Sequence, residues 1–403
     1  MIDTERRKEL LSRGKPAVPW QGEPLLGAWY TEAEINAAIL AIRSSMDPSV
    51  GFGFLVKEIT DFEEAFARYC ATQFAISVST ASVGLDMAMM CLDLEPGDEV
   101  ICPTVNFKAS HLAVLGHGGK LVFCEIDPRT FNLDPADVER RITPRTRAIL
   151  PVHMNGLSAP IDDLLDIAAR HPHPKHGPLK VIGDAARACG GGYKGTKIGK
   201  KGWCTVFSFH TMKLMTTLGE GGMITTDDPA LAERLRALRQ WGAAGWGTSY
   251  KMTKVQAAVG LVQLRRLDDM IARRVDLARQ RSKLLEGVPD LTLPYEPPDC
   301  NHTFYLYTLL VPPDWAGEKR DRLTATLQED YGVGCCIANP PTYLGHPWIR
   351  EQTAGQILPL SEELGARLFC VSLHPLMTPE QNEYIAAAVI EAVERLKGGN
   401  SSL

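Results

Sequence analysis

Between residues 75 and 226 the chain switches repeatedly from a short apolar run to a stretch with helical spacing. This alternation narrows the fold more than any other feature. The runs are AISVS (75–79), EVICPT (99–104), KLVFCEI (120–126), RAILPV (147–152), LKVIGD (179–184), CTVFSF (204–209) and GGMITT (221–226). Several are nearly all apolar, as strands covered on both faces by helices must be. Between the first two, Leu85, Met89 and Leu92 recur at helical spacing before a Pro-Gly stop. The expectation is an α/β domain with a mostly parallel sheet of about seven strands between helices. From Thr253 a long helix begins, with Val255, Val259 and Val262 on its early apolar face, then Leu267 and Ile271, and it ends near Gly287. Strand-like HTFYLYTLLV (302–311), a helix at 318–330 and a last helix from Pro379 to Lys397 make a smaller α+β remainder. The expected division is a large domain at 1–265 and a small C-terminal domain at 266–403.

A chain of 403 residues exceeds one ordinary core, in keeping with two domains. Its net charge of -5 is mild, which argues against nucleic acid or an anionic membrane as the main partner. No stretch is long and apolar enough to span a bilayer, and MIDTERRKEL has no apolar run after its charges, so no secretory signal is expected. Ten scattered cysteines without a CxxC pair read as buried thiols in a reducing compartment. Without secretion, the sequon at Asn400 carries no meaning. A cytoplasmic globular protein is the expectation.

Three features carry chemistry. In FSFHTMKLMTTLGEGGMITT (207–226), Lys213 is bracketed by Phe207, Phe209, Met212, Leu214 and Met215. If that segment is interior, the ammonium is poorly solvated and becomes a nucleophile; the competing reading is a surface lysine on a loop. The small-residue turn at Ser79, Thr80, Ala81 and Ser82 joins a strand to a helix start, which offers free N–H groups and a positive dipole end to a phosphate, or is an ordinary N-cap. Asp184 ends the strand LKVIGD, where open α/β sheets bind ligands, and suits a metal, a sugar hydroxyl or a protonated ring nitrogen. Taken together they suggest pyridoxal phosphate, whose aldehyde needs a lysine and whose ring nitrogen needs an acid. At about 3 Å and an effective dielectric of 20 the carboxylate–pyridinium attraction is ~5 kcal/mol before desolvation. The glycine-rich GGGYKGTK and GFGFLV fail as nucleotide loops, and HExxH, GxSxG and CxxC are absent. Pro and Gly break any shared face among the histidines of RHPHPKHGP (170–178), so no metal site is expected there.

The segments PGDEVICP, PVHMNG, GDAARACGGGYKG, FSFHTMK, GEGGM and YKMTKVQAAVGLVQL resemble the DegT/StrS-type sugar aminotransferases, pyridoxal-phosphate enzymes of fold type I. The likeness runs from about Trp29 to the last helix and implies an aspartate-aminotransferase-like architecture. It implies that Lys213 links covalently to the cofactor and shuttles the proton, that Asp184 pairs with the ring nitrogen, and that Phe107 in PTVNFKAS stacks on the ring. Ala81 and Ser82 stand where the family usually has Gly-Thr for the phosphate, Ser208 adds a hydroxyl, and Ser249 matches a polar residue reaching the phosphate across a dimer interface. His210 has a structural or a catalytic role. The chain also departs from the pattern. Arg187 replaces the usual Gln beside the phenolic oxygen, where it stabilises the phenolate or turns to a substrate anion. Lys251 replaces the usual Arg, the loop after Lys213 is one residue longer than the commonest family form, and CCIANPP (335–341) has Ala338-Asn339 where many nucleotide-sugar members carry His-Tyr.

The resemblance implies a homodimeric transaminase with shared active sites. It would move an amino group from glutamate or glutamine to a keto group of a sugar, nucleotide-sugar or cyclitol, in deoxyaminosugar or antibiotic biosynthesis. A pyridoxamine-dependent dehydratase, an aminoshikimate-type synthase and a non-catalytic partner protein are the alternatives; the dehydratases lack the lysine that Lys213 supplies. No clear carboxylate clamp for the donor is legible, and Arg239 is either that clamp or a surface helix arginine.

Overall fold

A computed structural model describes residues 2–15, 28–243, 245–338 and 340–398. All seven apolar runs form strands of one sheet: β1 (Phe74–Val78), β2 (Glu99–Pro103), β3 (Lys120–Cys124), β4 (Thr146–Ile149), β5 (Lys180–Asp184) and, after a small hairpin of β6 (Gly192–Tyr193) and β7 (Thr196–Lys197), β8 (Cys204–Ser208) and β9 (Gly222–Thr226). Their order is β1-β9-β8-β5-β4-β2-β3. From β8 to β3 every pairing is parallel, while β9 runs antiparallel to both its neighbours. The reason is local: β9 follows β8 through a loop with no crossover helix, and such a connection can only reverse the chain.

Alternate strand residues feed cores on opposite faces. Ile76, Val78, Cys102, Ile182 and Val206 pack with Leu85, Met87 and Ala88 of the helix Ala81–Leu92. On the other side Ile101, Ile149 and Val181 meet Leu164 and Ile167 of the helix Ile161–Arg170. Gly84 lets the first of these helices lie close on β8, because a Cβ there would come within 2.8 Å of Val206 Cγ1.

The long helix spans Lys254–Leu285, and Thr253 closes a capping box with Gln256. Its first half packs against Phe62 and Phe66, and its second half enters a C-terminal core through Leu277, Ala278 and Leu285. The expected division at 265/266 thus falls inside one continuous helix. The helix Thr4–Ser12 also joins the C-terminal core through Leu10, and Arg6 pairs with Glu383 at 2.7 Å. The buried face of the long helix is broader than the valine pattern implies: Gln263, Arg274 and Arg281 are buried with Leu264 and Leu267, whereas Val255 and Val262 are half-buried. Arg281 is tolerated there because Asn382 Oδ1 and the Ser372 carbonyl accept from it at 2.8 and 2.7 Å.

HTFYLYTLLV is not one strand. After the short β10 (Cys300–Asn301) the chain bends at Phe304, whose φ is 48°, and only β11 (Tyr307–Leu310) is extended. That strand pairs with β13 (Leu368–Val371), which also pairs with β12 (Cys335–Cys336). The expected helices are present as Glu318–Glu329 and Pro379–Gly398. Asn339 and the Asn400 sequon lie outside the described residues. No described helix is long and apolar enough to cross a membrane.

Candidate active site

The carboxyl ends of β5 and β8 and the start of the helix Ala81–Leu92 open into a cavity of about 330 Å³. Ala81, Ser82, Phe107, Asp184, Arg187, Ser208 and Lys213, all singled out from the sequence, line it, and so do Thr80 and His210. The topology explains the convergence. Parallel strands deliver all their carboxyl ends to one edge of the sheet, and Val78 of β1 and Ser208 of β8 both pair with Gly222 of β9.

At one end of the cavity Thr80 caps the helix, its hydroxyl accepting from Val83 N at 3.1 Å, and the Gly84 N–H goes to the Thr80 carbonyl at 3.1 Å. Among the described residues the N–H groups of Ala81 and Ser82 have no acceptor, so both the cap and the anion seat exist in the same turn. Gly222 makes this possible. A Cβ on it would stand 2.8 Å from Ala81 N and from the Thr80 carbonyl carbon.

Asp184 is 5% exposed, and each of its oxygens accepts one hydrogen bond from the protein. Its Oδ2 accepts from Ser110 Oγ at 2.5 Å and its Oδ1 from Ala186 N at 3.0 Å. Ser110 in turn accepts from Asn106 Nδ2 at 3.0 Å. The His153 ring lies against Gly183, with its Nδ1 accepting from Ala159 N at 3.1 Å; burial pulls its pKa down to about 4, so it is neutral. Phe107 is 54% exposed, an apolar ring left open where a flat ligand can cover it.

Lys213 follows the buried Phe207 and Phe209 and is flanked by buried Leu214 and Met215, but it is itself half-buried and faces the cavity. The loop that carries it is tied by Phe209 N to the Gly221 carbonyl, Thr217 N to the Phe209 carbonyl and Lys213 N to the His210 carbonyl. Its Nζ donates to Tyr305 OH at 3.3 Å. Arg187 is 5% exposed; its Nη1 donates to Asn155 Oδ1 at 3.2 Å, and its guanidinium stands 5.7 Å from the Tyr305 ring centre. The donor set suits pyridoxal phosphate: an unsatisfied helix N-terminus with hydroxyls for the phosphate, a carboxylate for the ring nitrogen, an aromatic face and an amine.

Ser249 is not part of this cavity. It is exposed, and its Oγ accepts from Lys251 Nζ at 2.9 Å, while the adjacent Tyr250 carbonyl accepts from Ser79 N at 2.8 Å. Arg239 is neither a clamp nor a surface residue. It is 2% exposed, ion-paired with Glu63, and donates to the Ser77 carbonyl at 2.9 Å. The histidines of the 170–178 loop serve structure: His171 meets Glu139 at 2.7 Å, and His173 Nδ1 accepts from Lys175 N and His176 N. Sequence reasoning missed Ser110, Asn155 and Tyr305. The first two lie inside the segments PTVNFKAS and PVHMNG, which carry the resemblance or hold Phe107; Tyr305 gave no signal beyond an aromatic in an apolar run.

The family model described as the DegT/DnrJ/EryC1/StrS aminotransferase family matches residues 36–390. The chain is 35% identical to the dTDP-3-amino-3,4,6-trideoxy-alpha-D-glucose transaminase of Streptomyces venezuelae, covering 94% of this chain and 97% of that one. It is 42% identical to the GDP-perosamine synthase of Caulobacter vibrioides over 62% of this chain and 68% of that protein. Among solved structures, S. venezuelae DesV superposes with a TM-score of 0.80 at 34% identity, covering 90% of this chain and 95% of that one.

Proposed function

The chain belongs to the DegT/DnrJ/EryC1/StrS aminotransferase family, and on that premise we propose that it moves an amino group from glutamate or glutamine to the keto carbon of a nucleotide-linked sugar. It is a pyridoxal-phosphate-dependent aminotransferase of fold type I. The observation that carries the reading is the meeting of Lys213, Asp184, Phe107 and the open N-terminus at Ala81 and Ser82 in one cavity. The relatives named for dTDP- and GDP-linked sugars support a nucleotide-linked substrate and a place in amino-sugar biosynthesis.

Bound in the cavity, the cofactor supplies an aldehyde that receives the amino group and a ring that accepts electrons from the substrate carbon. The Ala81 and Ser82 N–H groups with the Ser82 and Ser208 hydroxyls would hold the phosphate. Phe107 covers one ring face. Asp184, fixed by Ser110 and Ala186, keeps the ring nitrogen protonated. Lys213 Nζ would hold the aldehyde carbon covalently, with loss of water, and once displaced by the donor's amine it would carry the proton from the substrate carbon. Arg187 places positive charge beside the phenolic oxygen. Lys213→Ala tests the core of this reading: borohydride should fix the cofactor to the parent chain and not to the variant, and a variant that keeps full turnover would overturn it.

A keto-cyclitol is the second reading. What favours it is Ala338, 5% exposed and packed in the core, where nucleotide-sugar members offer a polar ring. Turnover of the pyridoxamine-loaded enzyme with dTDP- and GDP-linked keto-sugars against inososes decides between them.

The active form is a homodimer in which Ser249 serves the neighbouring chain's phosphate. Exposed Leu40, Ile42, Met46, Phe52, Phe54 and Trp241 are apolar side chains that a partner subunit would cover. Phe54 meets Trp241 edge-on at 5.0 Å, and Lys251 Nζ stands 3.8 Å from the Trp241 ring centre while donating to Ser249. Mixing a Lys213→Ala chain with a Ser249→Ala/Lys251→Ala chain should restore activity through one intact site per mixed dimer; no recovery from a verified mixed dimer would refute sharing.

A further inference from the structure

Tyr305 is fully buried, and a buried phenol needs a partner for its hydroxyl. Here a partner is the Lys213 amine: Nζ donates to Tyr305 OH at 3.3 Å and stands 4.9 Å from the ring centre. Two other cations address the same side chain. The Arg187 guanidinium is 5.7 Å from the ring centre. Arg274 on the long helix is also close: burial pulls its pKa down to about 10, and the nearby Tyr305 phenol opposes that fall.

The placement of Tyr305 is built by two segments from distant parts of the chain. Thr303 N donates to the Gly156 carbonyl at 3.0 Å and Leu306 N to the Asn155 carbonyl at 3.3 Å. Asn155 Nδ2 donates to Thr308 Oγ1 at 2.8 Å while its Oδ1 receives Arg187. The approach is so close that a Cβ on Gly156, whose φ is 102°, would lie 2.8 Å from Tyr305 N. The clasp therefore fixes the segment that carries Tyr305 and the Arg187 guanidinium through the same asparagine.

We propose that Tyr305 is the positioning residue for the reactive amine: its hydroxyl receives Lys213 Nζ whenever that amine is not linked to the cofactor. This rests on the reading that Lys213 is the covalent residue. A lysine stem has four rotatable bonds, and an amine released into an open cavity would disperse over many rotamers. Docked on the phenol oxygen, Nζ stays beside the cavity, and when it holds a proton the oxygen accepts a charge-assisted hydrogen bond from it. No bond is broken in this step; the proton remains on Nζ until it is returned.

Tyr305→Phe removes the hydroxyl and keeps the ring packed against Arg187 and Lys213. Borohydride fixation and peptide mass first establish that the parent and the variant both load the cofactor on Lys213. The stopped-flow rate at which the apo chain links to added pyridoxal phosphate is then expected to fall roughly tenfold or more. The pH midpoint of the bound cofactor's absorbance should move, and kcat should fall with the keto-substrate KM held within about two-fold. A Tyr305→Phe chain with the parent's linkage rate and titration would overturn the proposal, as would a defect seen in Tyr305→Leu and absent from Tyr305→Phe, which would assign the residue to ring packing alone. Fixation of the parent at another lysine would instead bring down the functional reading on which the proposal rests.

Discussion

Gly222 offers a way to disturb the phosphate seat without touching any side chain of the chemistry. It sits at the start of β9, paired with Val78 and Ser208, in ordinary strand geometry with no left-handed φ. In Gly222→Ala the new methyl would lie 2.8 Å from Ala81 N and from the Thr80 carbonyl carbon, and 2.9 Å from the Thr80 oxygen. These are backbone atoms at a helix start, so no side chain can rotate away. Reaching an ordinary contact of about 3.4 Å means moving the helix N-terminus by roughly 0.6 Å, or bending the strand by as much. Overpacking of this kind costs about 1–3 kcal/mol of stability. The displaced Ala81 and Ser82 N–H groups should also lose part of their hold on the phosphate. A hydrogen bond to a charged group contributes about 1.5–3 kcal/mol, so cofactor affinity should fall about tenfold to a hundredfold. Fluorescence titration of the apo chain with pyridoxal phosphate reads the affinity, and urea unfolding reads the stability. Gly116→Ala, at the end of a helix where a Cβ meets nothing within 4 Å, is the control: it should leave the affinity unchanged and should not lower the stability. If Gly222→Ala binds the cofactor as tightly as the parent, the phosphate does not sit on this helix start.

Asp184→Asn should retain the cofactor yet slow proton removal from the substrate by several hundredfold, because a neutral amide no longer favours ring protonation; single-turnover kinetics within a few-fold of the parent would place the ring nitrogen elsewhere. Arg187→Gln removes positive charge near Tyr305 and the phenolic oxygen, so the absorbance midpoint of the bound cofactor should rise; an unchanged midpoint with weaker substrate binding would assign Arg187 to a substrate anion. Burial holds His111 and His153 down to about 4 and His302 down to about 3, below the ordinary imidazole value of 6.5. The unfolded chain then binds more protons below pH 6.5, so stability should drop as the pH falls from 6.5 toward 5, by up to about 1.4 kcal/mol per unit for each histidine. Urea melts at pH 7.5 and 5.0 check the slope while most carboxylates remain ionised, and equal midpoints would contradict it.

The strands were legible because a sheet covered on both faces demands apolar runs, and each of the seven runs is a strand within a few residues. The convergence of Asp184, Ser208 and the Ala81–Ser82 turn also follows from sequence, since parallel strands bring their carboxyl ends to one edge. Lys213 stood out because a lone cation among phenylalanines and methionines contradicts its own surroundings. Other features required the folded chain. Arg239 reads as one more arginine on a helix, and only packing sets it against Glu63 and Ser77, more than a hundred residues away. Tyr305 lies in a run whose composition says strand, but the backbone of Asn155 and Gly156 crosses there, bends the chain at Phe304 and turns the phenol toward Lys213. Periodicity records which face of an element is buried, so the sequence by itself determined the elements and the edge where the chemistry gathers. Which distant side chain fills a buried partner's hydrogen-bonding need depends on contacts between separate elements, and that only the tertiary structure decided.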